Sequence, residues 1–407
     1  MTAPAHASAA LTLQPPVSER QRLTTAVKRL ARSHGLSVSA VTDATALHDV
    51  LPILRDRIDR GHLAGLDWFT HQRAAESCDP AVLLSAAQSI LSVGIAYWGA
   101  DEGKPDDGIP RGRISRYARG VDYHRLLPDR MRSLHADIER LVEHPVEARF
   151  LTDHARIVDR AVAARAGLGW YGKNACLIVP GHGSWVMLGE LLLDLDLEPD
   201  HPINQTCGHC QICLDRCPTG AIVAPYTVHA PSCISFQTIE QRGAIPRDVR
   251  QAVGDWVFGC DVCQDVCPYT GAARPEPDPA FLPGRIEHAY PSLPFLLTMS
   301  EQTFRDVFRG TAITRAKREG LARNAAVALG NLGTDQGLPH LIRALLGHDR
   351  PLVRGHAAWA LGQIGGGMAR KALAVAWTRE RNAGARSEIA LALETDSGPS
   401  DASVTWI

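Results

Sequence analysis

The chain has 407 residues, 45% hydrophobic and 21% charged, which is enough apolar material for a large core and a length of two to three domains. Its 43 Lys and Arg nearly balance its 44 Asp and Glu, leaving a formal net charge of −1, so no global field draws it to nucleic acid or membrane and any such binding must come from a local patch. No run is long and apolar enough for a membrane-spanning helix, and the first residues lack both a basic segment before an apolar core and a twin-arginine pair. A cytoplasmic protein is expected, in which clustered cysteines mean metal or redox chemistry in place of disulfides.

In chain order, residues 1–18 read as a tail. QRLTTAVKRLARSHG predicts an amphipathic helix ended by Gly35, and SILSVGIAYW, 89–98, a buried strand bounded by turn residues. DEGKPDDGIPRG, 101–112, is loop by composition. IVDRAVAARAG, 157–167, has apolar positions at helical spacing and stops at Gly167. GLGWYGKN, 167–174, is a glycine-rich turn, and SWVMLGELLLDLDL, 184–197, one strand or two. The alternation predicts an α/β or α+β domain over 19–200. Residues 201–285 carry most of the cysteines, and 286–320 connect, ending in a basic segment. RNAAVALGNLG at 323–333, RGHAAWALGQIGG at 354–366 and, more weakly, ARSEIALALE at 385–394 recur at an offset of about 32 residues, like HEAT-type helix pairs but with a period shorter than the usual ~40. Two or three such repeats over 321–395 are too few to stand alone and should lean on the domain before them. Residues 396–407 read as a second tail.

Eight of the ten cysteines form one pattern. Cys207, Cys210, Cys213 and Cys217-Pro218 spell C-x2-C-x2-C-x3-C-P; Cys260, Cys263 and Cys267-Pro268 repeat its end, with Cys233 upstream. In this bacterial ferredoxin grammar three cysteines of a tight loop hold three corners of one cubane and the fourth ligates the other cluster. The spacing therefore assigns Cys207, Cys210, Cys213 and Cys267 to one [4Fe–4S] cluster, and Cys217, Cys233, Cys260 and Cys263 to a second. Paired structural zinc sites are the alternative, for which the first run is poor grammar. Cys78 reads as incidental and Cys176 as a buried structural thiol.

The ordered set Thr152-Asp153, DRAVAARAGLGWYGKN, GSWVMLGE, CGHCQICLDRCPTGAI, CISF, GCDVCQDVCP and the Ala-Leu-Gly repeats resembles the epoxyqueuosine reductase family over roughly residues 20–370. The cysteine runs alone are shared by many ferredoxin-like proteins; GLGWYGKN and the repeats make the likeness specific. The resemblance implies a nitroreductase-like α/β domain that binds cobalamin beside two [4Fe–4S] clusters. It implies electrons from an external donor such as ferredoxin or flavodoxin, and removal of the epoxide oxygen of epoxyqueuosine at the wobble base of tRNA. A monomer is expected.

On that resemblance Asp153 is the proton donor. A free Asp, with a pKa of ~3.9, is a poor acid at neutral pH, so the role requires a raised pKa in an apolar pocket; the competing reading is an N-cap for a helix starting near residue 154. The Asp-x-His-x-x-Gly signature of a protein-supplied cobalt ligand is absent: Asp122-Tyr123-His124 has Leu127 where Gly is required. Matching cofactor-binding positions are Tyr117, Asp153, Leu177, Leu188, Ser235 and Cys260-Asp261, with ordinary core packing as the alternative for the leucines. The basic stretch RDVFRGTAITRAKREGLAR, with Arg315, Lys317, Arg318 and Arg323, is a candidate phosphate surface, although a charge run is more often a solvated face. Arg242 and Gly243 match a family stretch near the anticodon loop. The alternatives to this function are a corrinoid reductive dehalogenase and a non-enzymatic iron–sulfur electron carrier or tRNA-binding module.

Overall fold

The computed structural model describes residues 18–101, 103–153 and 155–395. The expected tails fall outside these, except Ser18, whose hydroxyl accepts from the Gln21 N–H while the Gln21 side chain returns to the Ser18 N–H. That reciprocal capping box starts helix α1, Glu19–Ser33, whose Val27 and Ala31 face the core. The chain leaves α1 through Gly35 at φ +73°, as the sequence predicted.

Four strands build one antiparallel sheet: β1 Val38–Asp43, β2 Ser89–Ala96, β3 Ala148–Leu151 and β4 Val186–Leu193, in the order β1-β2-β4-β3. Every residue of β2 is buried, which explains its unbroken apolar sequence. The stretch 184–197 yields a single strand. Helix α2, Tyr123–Val142, covers one face with Leu127, Met131, Leu134 and Ile138, a stripe of helical period. Helix α3, Asp159–Arg165, lies on the other, where Leu151, Ile157, Ala161, Val162, Ile90 and Leu192 share one apolar cluster. It starts two residues later than its periodicity suggested, because Val158 is non-helical at φ −100°, ψ 79°.

The cysteine segments carry only short helices, Ile212–Asp215 and Val262–Asp265, one between the ligating positions of each run. Residues 286–320 are more than a connector: helices Leu293–Thr298 and Glu301–Phe308 occupy them, and the first repeat helix already begins at Lys317.

The repeats run α4 Lys317–Leu332, α5 Leu338–Gly347, α6 Pro351–Ile364, α7 Gly366–Arg379 and α8 Ala383–Thr395. One contact recurs: a Cβ on Gly330 of α4 would lie 2.8 Å from Ala360 of α6, and one on Gly362 of α6 would lie 3.0 Å from Ala392 of α8. The small residues of the Ala-Leu-Gly signature thus let successive helices approach closely. The repeats lean on the cysteine-bearing part, as expected. Asn324 donates to the Thr238 and Val257 carbonyls, Asn331 to those of Arg250 and Gly254, and Arg250 forms a two-pronged ion pair with Glu388. Among the described residues no helix is long and apolar enough to cross a membrane.

Candidate functional site

The fold gathers the eight cysteines into two groups. Cys207, Cys210, Cys213 and Cys267 line one cavity with Lys173, Asn174, Ile178 and Tyr269. Cys217, Cys233, Cys260 and Cys263 meet in the other, where the charges of Cys233 and Cys217 act on Cys260, and those of Cys260 and Cys233 on Cys263. Cys217 and Cys267 therefore each sit with the other run's cysteines. Burial, and then the neighbouring thiols, push Cys213 up to about 11 and Cys260 up to about 12. Four such thiols resist ionising together unless a cationic core compensates them, which suits a cluster. Among the described residues no three His, Cys, Asp or Glu converge on a single ion position; the first group instead rings its cavity, as a cubane needs when each thiolate takes its own iron.

GLGWYGKN is the clamp between the sheet domain and both groups. The ladder Trp170–Tyr171 to Leu177–Ile178 closes it into a hairpin. At its tip the Lys173 ammonium donates to the Gly208 carbonyl at 2.7 Å, inside the first cysteine run, and the Asn174 amide to the Cys263 carbonyl at 3.2 Å, in the second. Trp170 meets Tyr269 edge to face at 5.1 Å. Cys176, expected as a buried structural thiol, is half-buried: Asn174 Oδ1 accepts from its N–H at 3.2 Å, and its side chain lies beside that of Cys263. Cys78 is buried in the core.

Asp153 does not cap a helix. It occupies a turn at φ +41°, six residues before α3 begins. Its carboxylate accepts from the Tyr123 hydroxyl at 2.6 Å and meets His124 Nε2 at 3.2 Å. Asp122, the N-cap of α2, holds His124 Nδ1 at 2.8 Å. Burial lowers the His124 pKa, but bonds to the two carboxylates outweigh it and push it up to about 9. For Asp153, burial pulls the pKa upward, yet the bonds from His124 and Tyr123 prevail and the carboxyl is held below its ordinary value. The side chain is also 61% exposed. The raised acidity barrier that sequence reasoning required is thus not built by the protein alone. From Asp153 a line of rings leads to the second cysteine group: Tyr123 to Tyr117 at 5.9 Å, Tyr117 to Phe258 at 6.3 Å, and then Gly259-Cys260.

The other expected cofactor positions divide. Tyr117 lies on this line, and Ser235 bonds the Cys233 thiol. Leu177 is 5% exposed in an apolar cluster with Leu168 and Val179, and the partly buried Leu188 packs against it. The Asp261 side chain is fully buried and spent on the Ser115 hydroxyl and on the Arg116 N–H and guanidinium, which leaves only its backbone for a cofactor. Both ring nitrogens of His124 are held by carboxylates.

The basic stretch also divides. Lys317 is exposed, and Arg315 and Arg242 are half exposed beside Glu240. Gly243 is exposed in the same loop. Arg318 is largely buried between Glu301 and Asp349. Arg323 is 1% exposed and donates to the carbonyls of Gln237, Gln241 and Gly243. It cannot reach a phosphate; it shapes the loop that presents Arg242.

The chain is 37% identical over 342 residues to the epoxyqueuosine reductase of Xanthomonas campestris pv. campestris, covering 83% of this chain and 95% of that protein. The Escherichia coli epoxyqueuosine reductase is also 37% identical, over 83% of this chain and 88% of its own. The chain belongs to the epoxyqueuosine reductase family. A family model described as "Epoxyqueuosine reductase QueG, DUF1730" matches residues 78–154, a 4Fe-4S double cluster binding domain 206–270, and HEAT repeats 308–394. An epoxyqueuosine reductase crystallised with an epoxyqueuosine-modified tRNA-Tyr stem loop superposes with a TM-score of 0.87 at 32% identity, covering 93% of this chain and 99% of that one. A Bacillus subtilis epoxyqueuosine reductase, with its catalytic aspartate loop swung out of the active site, gives 0.86 at 32% identity, over 92% and 99%.

Within this family frame, sequence reasoning missed the partners of Asp153. Tyr123 and His124 were in view only as a failed cobalt-ligand signature. The Asp-Tyr-His run was the available signal: it places a phenol and an imidazole side by side at the start of a helix.

Proposed function

We propose that this chain reduces epoxyqueuosine to queuosine at the wobble position of tRNA, with Asp153 as proton donor. The observation that carries the reading is the continuous line from Asp153 through Tyr123 and Tyr117 to Cys260, which joins a proton-handling group to an electron-handling one. Residues 201–285 would hold two [4Fe–4S] clusters through the two cysteine groups. Residues 19–200 would hold cobalamin, beside Tyr117, Ser235 and the backbone of Cys260-Asp261. When bound, these groups supply the two electrons, drawn from an external carrier such as ferredoxin or flavodoxin.

Removing the epoxide oxygen as water consumes two electrons and two protons. Asp153 is ionised in the protein by itself, whereas His124, raised to about 9, carries a proton at neutral pH and lies 3.2 Å away. RNA closing over the exposed Asp153 removes its water and favours the neutral carboxyl, with His124 as the proton source. Lys317, Arg315 and Arg242 would face the RNA backbone, beside the loop carrying Gly243, and a splayed base would reach Asp153.

The test is anaerobic turnover of epoxyqueuosine-containing tRNA by protein reconstituted with iron, sulfide and cobalamin, read by mass spectrometry of the digested nucleosides. Loss of one oxygen, abolished in Asp153→Ala with iron content unchanged, supports the reading; no conversion by fully loaded protein ends it.

A further inference from the structure

The established chemistry leaves one buried group unused. Glu190, in the middle of β4, is fully buried, and its carboxyl faces that of Asp159 at the first turn of α3. Both Glu190 oxygens and Oδ1 of Asp159 are buried without a well-formed hydrogen bond among the described residues; beside Glu190 lie the Asp159 carboxyl and the Ser92 hydroxyl. A buried carboxylate and a half-buried one beside it repel. The pair coheres only when it holds one proton, so that one acid donates to the other. Burial pushes both carboxyls upward, in the direction that retains this proton.

The position of the pair is informative. Glu190 is paired across the sheet with Leu151 on one side and with Ser92 on the other. Directly opposed residues of an antiparallel pair share a face, and this is the face on which α3 packs. The segment 152–158, which carries Asp153, leaves the sheet immediately after Leu151 and enters α3 at Asp159. One residue thus grips both ends of that segment, the first through the strand ladder and the second through its side chain. Tyr123 and His124 hold Asp153 itself from α2; between Asp153 and α3 the remaining holds are weaker. Val158 gives α3 no side-chain cap. Arg156 pairs with Glu76 with its own side chain 55% exposed, a solvent-screened contact of small net worth. Arg73 reaches the Ala155 carbonyl only at 3.3 Å.

We propose that the Asp159–Glu190 carboxyl pair, sharing one proton, is the latch that closes the 152–158 segment and thereby positions Asp153. It is a positioning device, since neither acid touches the reacting atoms. Its catalytic consequence rests on Asp153 being the proton donor; its structural consequence does not.

The experiment uses the full-length, reconstituted protein and the variants Glu190→Leu and Glu190→Gln. Leu removes the grip on Asp159 while relieving a buried acid. The expected result is a melting temperature no lower than wild type, amide exchange in 152–158 faster by about tenfold, and protection of β2 and β4 unchanged. With it, kcat should fall about tenfold to a hundredfold while KM for the tRNA stem loop stays constant. Gln, which still donates to Asp159, should restore both exchange and kcat. Wild-type exchange in 152–158 of the Leu variant, or faster exchange across the whole sheet, overturns the latch, as does a Gln variant as impaired as Leu. If the Leu variant does not fold, Asp159→Ala decides by the same exchange measurement: loosening confined to 152–158 supports the latch, and unchanged exchange overturns it. Wild-type protein that fails to convert the tRNA would sink the proposed reaction but leave the exchange comparison standing.

Discussion

At the scale of single residues, the site depends on a proton being in the right place. His124 titrates near 9 in the folded chain, above the ordinary histidine value. Its contribution to stability is therefore complete below an unfolded pKa of ~6.5 and is lost as pH rises through about 9. The melting temperature of wild type should exceed that of His124→Asn by a constant margin at mildly acid pH, and the margin should close in the alkaline range. A margin that widens with pH would contradict the Asp122–His124–Asp153 arrangement. Arg323 and Lys317 form a second contrast. Arg323→Ala removes the donor from three carbonyls, of which that of Gln237 is buried, and should cost about 1–3 kcal/mol in denaturant unfolding. Lys317→Ala should leave unfolding unchanged, weaken stem-loop binding and reduce its salt slope by about one. Sequence alone could not separate the two, because both belong to one charge run; burial, set by a distant loop, divides them.

At the scale of elements, legibility followed periodicity. Helix α1, strand β2 and the repeat helices each carry a pattern the structure uses directly: one amphipathic face, an unbroken buried apolar run, and a recurring Ala-Leu-Gly signature. The segment 152–158 carries none: its geometry comes from Glu190 and Tyr123, distant in sequence, so neither the turn at Asp153 nor the late start of α3 could be read from its own residues. GLGWYGKN was visible as a glycine-rich turn, but its use as a clamp became visible only when Lys173 and Asn174 met their partner carbonyls. In the repeats, Gly330→Ala tests whether close approach governs the signature. Helix propensity alone would reward the change by about 1 kcal/mol. A Cβ 2.8 Å from Ala360 and 3.0 Å from the Trp359 ring should reverse the sign, with a net loss of about 1–3 kcal/mol in thermal unfolding.

At the scale of the molecule, three parts are joined by polar contacts that are buried or partly buried: the hairpin tip to both cysteine runs, and Asn324, Asn331 and Glu388 of the repeats to the cysteine-bearing part. The ferredoxin grammar predicted which cysteines gather, because ligand spacing is local chemistry. How the sheet domain and the repeats embrace them was not legible, since it rests on side chains with no recurring motif. The crossing of Cys217 and Cys267 between the groups has a further consequence. Each knot is tied with a thread drawn from the other, so damage to one leaves its neighbour short of an anchor. Chains supplied with scarce iron should accordingly divide into empty and fully loaded populations, with few half-filled ones, a distribution that native mass spectrometry would count directly. Oxidative loss should be just as indivisible: the electron path would fail as a single fuse, with no dimmed intermediate state.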